Sequence, residues 1–330
     1  MSEHTTTTTD SAYLRPRAEG EPARLALGCM NFGGRTGGGD ARAIIDRALA
    51  SGVGLLDTAN MYTKGTSERI VGRALRGRRG AALVASKVGL GRAGRRAEGL
   101  SREVVLAACE ASLERLGIDA LDLYYLHAPD PHTPPEQTLE AIGELLAAGK
   151  IRHWGLSNHA SWQILELRHL AADAGLPMPV VAQQLYNPLV RQLDVEYFRF
   201  AARYPIHTTV YNPLGGGVLT GRHRFDAPPP AGSRFDGNKR YQLRYWTRAL
   251  FEGVEELRAV AADEGMDLVT LSYAFLLGHP GVDSVLIGPG SIAHLDAALA
   301  AREVALSKDG RRRVMAVGQA LSGTDARYAR

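Results

Sequence analysis

Asp57, Tyr62, Lys87 and His127 combine the side-chain types needed to move a proton at a carbonyl oxygen. A free phenol titrates near ~10, too weak an acid to protonate an alkoxide efficiently at neutral pH. A nearby ammonium favours the phenolate and lowers that value, and Lys87 is the candidate. Asp57 would pair with Lys87, keeping it charged and aimed at Tyr62. His127 would stand beside the reacting carbonyl and fix its orientation, its tautomer left open by sequence. Each residue alone has a plainer explanation. A Lys or Tyr after an apolar run is often a surface residue, an Asp there is commonly a turn or cap residue, and a single His is usually just hydrogen-bonded. What singles them out is that they follow successive short apolar runs.

Those runs form a rhythm. Residues 1 to about 23 are polar, Thr-rich and aperiodic, and read as a flexible N-terminal tail. From Arg24 onward, strand-like runs at 25–29, 53–57, 81–86, 121–126, 151–156, 180–184, 206–210 and 283–287 alternate with stretches of helical period. The helical stretches cover about 40–51, 66–77, 101–116, 134–148, 160–174, 193–203, 248–264 with 267–278, and 291–302. Thr133, Pro134 and Glu136 predict a capping-box start with Pro at the first helical position. Gly117, Gly149 and Gly175 stand where helix C-caps belong.

Continuous apolar strands alternating with helices imply a parallel sheet buried on both faces. The count of eight favours a closed barrel over a doubly wound sheet, and no GxGxxG follows the first strand. The expected fold is therefore α/β, a single-domain (β/α)8 TIM barrel over 24–303, with 304–330 as a C-terminal tail closing over or near the active site. The long Gly-, Pro- and Arg-rich interruption at 212–247 is expected to be functional.

In such a barrel the chemistry sits at the C-terminal ends of the strands. Reading only those positions gives Asp57 with Tyr62, Ser86-Lys87, His127, Ser157-Asn158-His159, Gln183 and Tyr211-Asn212.

Composition removes other classes. No apolar run approaches the ~18 residues of a membrane span. The start has neither a basic nor an apolar signal region, so a cytoplasmic location is expected. Two cysteines, Cys29 and Cys109, cannot build a disulfide framework or a structural zinc site. The net charge of +4, from 39 basic and 35 acidic residues, is scattered, and no nucleic-acid motif accompanies it. The expected partner is a small molecule, with no nucleic acid and no membrane; a homo-oligomer is compatible with the sequence.

The segments LLDTANMY, ASKVG, LYYLHAPD, GLSNHA, QQLYNP and YNPLGGGVLTG resemble, in order and spacing, the successive motifs of the aldo-keto reductases. The likeness runs from about Leu25 to Ala301. Within the superfamily, DTANMYTKGTSE, YYLHAPDPHTPPEQTL, QQLYNPLVRQ and SRFDGN followed by RYW are most similar to the aflatoxin-aldehyde and succinic-semialdehyde reductase branch.

The resemblance implies reduction of an aldehyde or ketone by hydride from NADPH, with NADH the lesser partner. Tyr62 is then the proton donor, with Asp57, Lys87 and His127 around it. Ser157, Asn158 and Gln183 would hold the carboxamide, Tyr211 would stack on the nicotinamide, and Met30 and Asp57 would also touch the cofactor. Asn212, Pro213, Leu214 and Gly216 would approach the pyrophosphate, because glycine-rich backbone offers N–H groups without Cβ obstruction. Gly290, Ser291 and His294, opening the last helix, would take the adenosine phosphate. This sequence departs from many relatives there, with no Lys or Arg before Arg302.

Phe32 and Tyr245 are expected to wall the substrate site beside Tyr62 and His127. Arg244, Arg248 or Arg330 would hold a substrate carboxylate through the guanidinium fork. A regulatory channel β-subunit of the same fold, binding NADPH with weak turnover, is the alternative reading. An aldolase barrel using Lys87 as nucleophile is a third, and Asp57 argues against it by keeping Lys87 charged.

Overall fold

Short runs rich in Leu, Val and Ala pair into parallel strands because their side chains are apolar on both faces, one toward the axis and one toward the helices. The computed structural model describes residues 12–93 and 96–322. Its barrel strands are β1 (Arg24–Gly28), β2 (Leu55–Asp57), β3 (Leu83–Val88), β4 (Leu121–Leu126), β5 (Ile151–Ser157), β6 (Val181–Leu185), β7 (His207–Tyr211) and β8 (Ser284–Ile287). Each pairs in parallel with its neighbours in chain order, and β8 returns to β1 through Leu25↔Val285, closing an eight-stranded barrel.

Helices α1 (Gly38–Ala50), α2 (Thr66–Leu75), α3 (Arg102–Leu116), α4 (Pro135–Ala147), α5 (Ser161–Asp173) and α6 (Tyr197–Arg203) connect successive strands. Between β7 and β8 come α7 (Lys239–Tyr245), α8 (Arg248–Asp263) and α9 (Leu268–Leu277); α10 (Ile292–Ala300) and α11 (Lys308–Leu321) follow β8. Gly117, Gly149 and Gly175 all take left-handed backbone at the helix ends, as their positions predicted. The capping box does not form. The helix starts one residue later, at Pro135, and the Thr133 hydroxyl donates instead to Asp130 at 2.6 Å.

The strand side chains that point to the axis fill the barrel: Ala26, Leu55, Leu83, Leu123, Tyr125 and Val181 form one buried cluster. Tyr13 joins that cluster and is 3% exposed. Its hydroxyl donates to the Leu25 carbonyl at 2.9 Å and accepts from the Gly54 amide at 3.1 Å. Arg17 donates from its backbone to Asp283 and from its side chain to the His279 carbonyl. The reading of 1–23 as a flexible tail is thus corrected for residues 12–23, which plug the barrel at the end opposite the strand C-termini. A single buried aromatic in a polar segment leaves no periodic signal.

The C-terminal expectation is corrected for residues 308–321, while residues 323–330, Arg330 among them, lie outside the described residues. Residues 308–321 form a helix packed on α8, with Val317 and Leu321 against Gly253, and do not close over the strand ends.

Candidate active site

The C-terminal strand ends surround a cavity of ≈ 720 Å³. Parallel register puts the key residues on one rim: Gly28 is level with Asp57, and Ser157 with Gln183. Asp57 and Lys87 are fully buried. Lys87 Nζ donates to Asp57 Oδ1 and to the Thr58 carbonyl at 2.8 Å, while Gln183 Nε2 donates to Asp57 Oδ2 at 2.9 Å. The ammonium lies 5.3 Å from the centre of the Tyr62 ring. His127 stands edge-on to Tyr62, with ring centres 5.8 Å apart. The four residues chosen from sequence therefore meet.

Tyr62 is aimed by a strained turn. Thr63, Lys64 and Gly65 follow it with φ of 46°, 54° and 82°. Left-handed backbone costs a non-glycine residue roughly 1–2 kcal/mol, and more is expected of a β-branched one. The turn is pinned from both sides: Thr63 Oγ1 donates to the Phe32 carbonyl at 2.8 Å and accepts from the Ser67 amide at 3.1 Å.

The electrostatics differ from the expectation that Lys87 acidifies Tyr62. Burial, and next the Asp57 carboxylate, hold the Tyr62 phenol well above its ordinary value. The ammonium is already occupied by Asp57 and Thr58, so little of its charge remains for the phenol. Burial likewise pushes Lys87 down, against the pull of Asp57. His127 is driven well below the ordinary imidazole value by burial, then by the Lys87 and Arg240 charges, and is neutral near pH 7.

Of the residues assigned to a cofactor, Met30, Asp57, Ser157, Asn158, Gln183, Tyr211, Asn212, Pro213, Leu214, Gly216, Gly290 and His294 all line this cavity. Ser291 does not; its hydroxyl caps α10 by accepting from the His294 amide. Asn158 and Asn212 adopt φ of 61° and 59° at the ends of β5 and β7, a conformation asparagine tolerates. Asn158 donates to the His127 carbonyl at 2.8 Å and accepts from the Tyr211 hydroxyl at 2.6 Å, so much of its amide is used within the protein. A Cβ on Gly216 would come within 2.9 Å of the Tyr241 ring, in a backbone with φ of 70°. Only glycine leaves this turn its approach to the cavity.

These features fit a dinucleotide. The cavity joins a carbonyl-sized site at Tyr62 to a helix N-terminus at Gly290, past a turn of bare backbone.

Two substrate assignments are corrected. Phe32 is fully buried in the core beneath the turn after Tyr62, and Tyr245 is fully buried with its ring against Gly215. Neither lines the cavity. Arg244 does, as expected, together with Tyr241 and Arg240, which sequence reasoning passed over. Helical period inside 234–248 was the available signal, since residues 240, 241 and 244 share one face. Arg248 sits over the Phe225 ring instead, at 4.9 Å. Arg222 was also missed; it shares the cavity end with Gly290 and His294, and its charge reaches His294.

Residues 24–318 match the Aldo/keto reductase family. The chain is 33% identical over 305 residues to aflatoxin B1 aldehyde reductase member 2 of Mus musculus, covering 87% of this chain and 83% of that protein. It is 32% identical to a probable voltage-gated potassium channel subunit beta of Oryza sativa subsp. japonica, covering 81% of this chain and 83% of that one. In structure it is similar to the aldo-keto reductase AKR11C1 from Bacillus halodurans in its holo form, with a TM-score of 0.74, 28% identity, and coverage of 92% and 93%. Barrel, cavity and relatives agree: the chain belongs to the aldo/keto reductase family and is an NAD(P)H-dependent oxidoreductase of carbonyl compounds.

Proposed function

We propose that the protein is an NADPH-dependent reductase of small aldehydes and ketones in which Tyr62 gives its phenolic proton to the carbonyl oxygen. The observation that carries this reading is the meeting of Asp57, Lys87, Tyr62 and His127 at one end of one cavity. The nicotinamide, when bound, supplies the hydride.

The chain's own part is proton placement. Held above its ordinary value, the Tyr62 phenol stays protonated at neutral pH and has a proton to give. Asp57 and Lys87 anchor each other below the ring. His127 Nδ1 is buried without a hydrogen-bond partner. A bare buried N–H is rarer than a bare acceptor, so the proton belongs on Nε2, where it can donate to the carbonyl oxygen and hold the carbonyl against Tyr62.

Preference for NADPH is supported by Arg222, the cation that the segment after β8 lacks. With the α10 N-terminus it offers a charge-assisted site to a 2′-phosphate, worth roughly tenfold or more in affinity. The mouse relative's name speaks for aldehydes. Arg240 and Arg244 favour those carrying a distal anion over bulky apolar ones.

The test is fluorescence titration with NADPH and NADH, then turnover of succinic semialdehyde against butanal at equal concentration. Equal dissociation constants for the cofactors would overturn the NADPH preference. No advantage for the carboxylate would overturn the substrate preference. Absence of turnover with every aldehyde, despite cofactor binding, would favour the channel-subunit reading that the rice relative raises.

A further inference from the structure

Five arginines line the cavity: Arg35, Arg222, Arg234, Arg240 and Arg244. Among the described residues none of them makes an ion pair, whereas arginines elsewhere on the surface pair freely with Asp or Glu. They divide by position. Arg222 belongs to the end with Gly290 and His294. Arg35 and Arg234 both donate to Asn31 Oδ1, at 2.6 and 2.8 Å, between the loops after β1 and β7. Arg240 and Arg244 stand on α7, over the end that holds Tyr62 and His127.

That last pair is the unusual one. Residues four apart on a helix are neighbours on one face, and like charges there are destabilising. Arg240 is exposed, and Arg244 meets the Tyr241 ring, 5.9 Å from its guanidinium carbon, and the Tyr211 hydroxyl, but no carboxylate among the described residues. The local cationic field is strong enough to leave a mark. Burial alone would raise the Tyr241 phenol, yet the Arg234 charge, then a hydrogen bond with Asn212 and, further down, the Arg244 charge bring it below its ordinary value.

Two uncompensated forks on one face ask for more than one negative charge and more than two acceptor oxygens. A carboxylate fills a single fork with its two oxygens. A phosphate monoester carries about −1.5 to −2 at pH 7 and three acceptor oxygens, enough to bridge both. We propose that Arg240 and Arg244 form a phosphate-binding subsite for the substrate, so that the favoured substrates are short aldehydes bearing a terminal phosphate monoester. This rests on the reductase reading above and deepens it.

The experiment compares glyceraldehyde 3-phosphate with glyceraldehyde, the same aldehyde with and without the ester, using NADPH and the full chain. The phosphate ester should have a kcat/KM at least about tenfold higher, the scale of charge-assisted hydrogen bonds. It should also exceed succinic semialdehyde. In Arg240→Gln and Arg244→Gln, both at the cavity rim rather than in the core, the ratio of kcat/KM for the ester over glyceraldehyde should fall toward one. Inorganic phosphate should compete with the ester in the parent protein and lose potency in both variants.

A ratio near one in the parent protein, with glyceraldehyde still reduced, would overturn the subsite and leave the reductase reading standing. Parity between ester and semialdehyde would overturn the preference for a dianion. An ester advantage unchanged in both variants would overturn the assignment to these arginines. Failure to reduce any of the aldehydes would overturn the reductase reading and this inference with it.

Discussion

Tyr62 must release a proton that its surroundings hold tightly, and this fixes how the reaction responds to pH. Its phenol lies above the ordinary value and His127 well below. Reduction needs the protonated phenol, so kcat for reduction should stay level from pH 6 to 8 and fall only above about 10, the ordinary phenol value. Alcohol oxidation needs the phenolate and should rise with pH over the same range. A break in the reduction rate near 6.5 would mean that His127 titrates and that its burial has been misread. Tyr62→Phe removes the proton and little else. It should lower kcat at least ~100-fold, the lower end of general-acid contributions, while NADPH quenching of intrinsic fluorescence persists. Retention of more than half the activity would remove Tyr62 from the donor role. At the other end of the cavity, Arg222→Gln should weaken NADPH roughly tenfold and NADH much less, read by titration of both.

At the scale of elements, the turn between β2 and α2 does the aiming. Its residues hold left-handed backbone only because Thr63, Phe32 and Ser67 tie it down. Gly65 completes it, and a Cβ there would come within 2.5 Å of the Arg115 side chain. Arg115 cannot move away without loss, since it donates at 2.5 Å to Glu68, a buried carboxylate that also accepts from Ser86. Gly65→Ala should therefore cost roughly 1–3 kcal/mol in chemical denaturation, and should lower kcat by shifting the phenol. A variant of wild-type stability and activity would show that the turn tolerates rearrangement. The loop after β7 works differently. It carries α7 over the cavity and is tied across it where Arg234 donates to Asn31 and Tyr241.

Across the whole molecule, the two ends of the barrel have different tasks. The strand C-termini hold the cavity, and the other end is sealed by residues 12–23. The Tyr13 hydroxyl bonds a backbone carbonyl of β1 and the backbone amide of Gly54 just before β2. Tyr13→Phe keeps the ring and loses both bonds, so unfolding in urea should show a loss of roughly 1–3 kcal/mol. The cavity lies at the far end, so KM for aldehyde and cofactor should hold. An unchanged denaturation midpoint would show that the hydroxyl contributes nothing to closure.

Period and spacing alone determined a good deal here. The apolar runs after Arg24 are continuous because parallel strands are buried on both faces, and eight of them with helices between admit few architectures. Asp57, Lys87 and His127 were legible because each ends or follows such a run, and the order of the βα units then brings them to one rim. What lay between elements was not legible. Phe32 and Tyr245 look like wall residues in sequence, yet the loop after β1 and a short helix inside the loop after β7 send both rings inward. Arg222 reaches the cavity from an irregular segment, where no period relates position to direction, whereas Arg240 and Tyr241 stand on the short helix α7, whose period lay inside 234–248. The acidity of Tyr62 was also beyond sequence. Whether Lys87 acidifies the phenol depends on which groups already claim its charge and how far water is excluded. Those are distances and burial, set only when β2, β3 and β6 come together around Asp57.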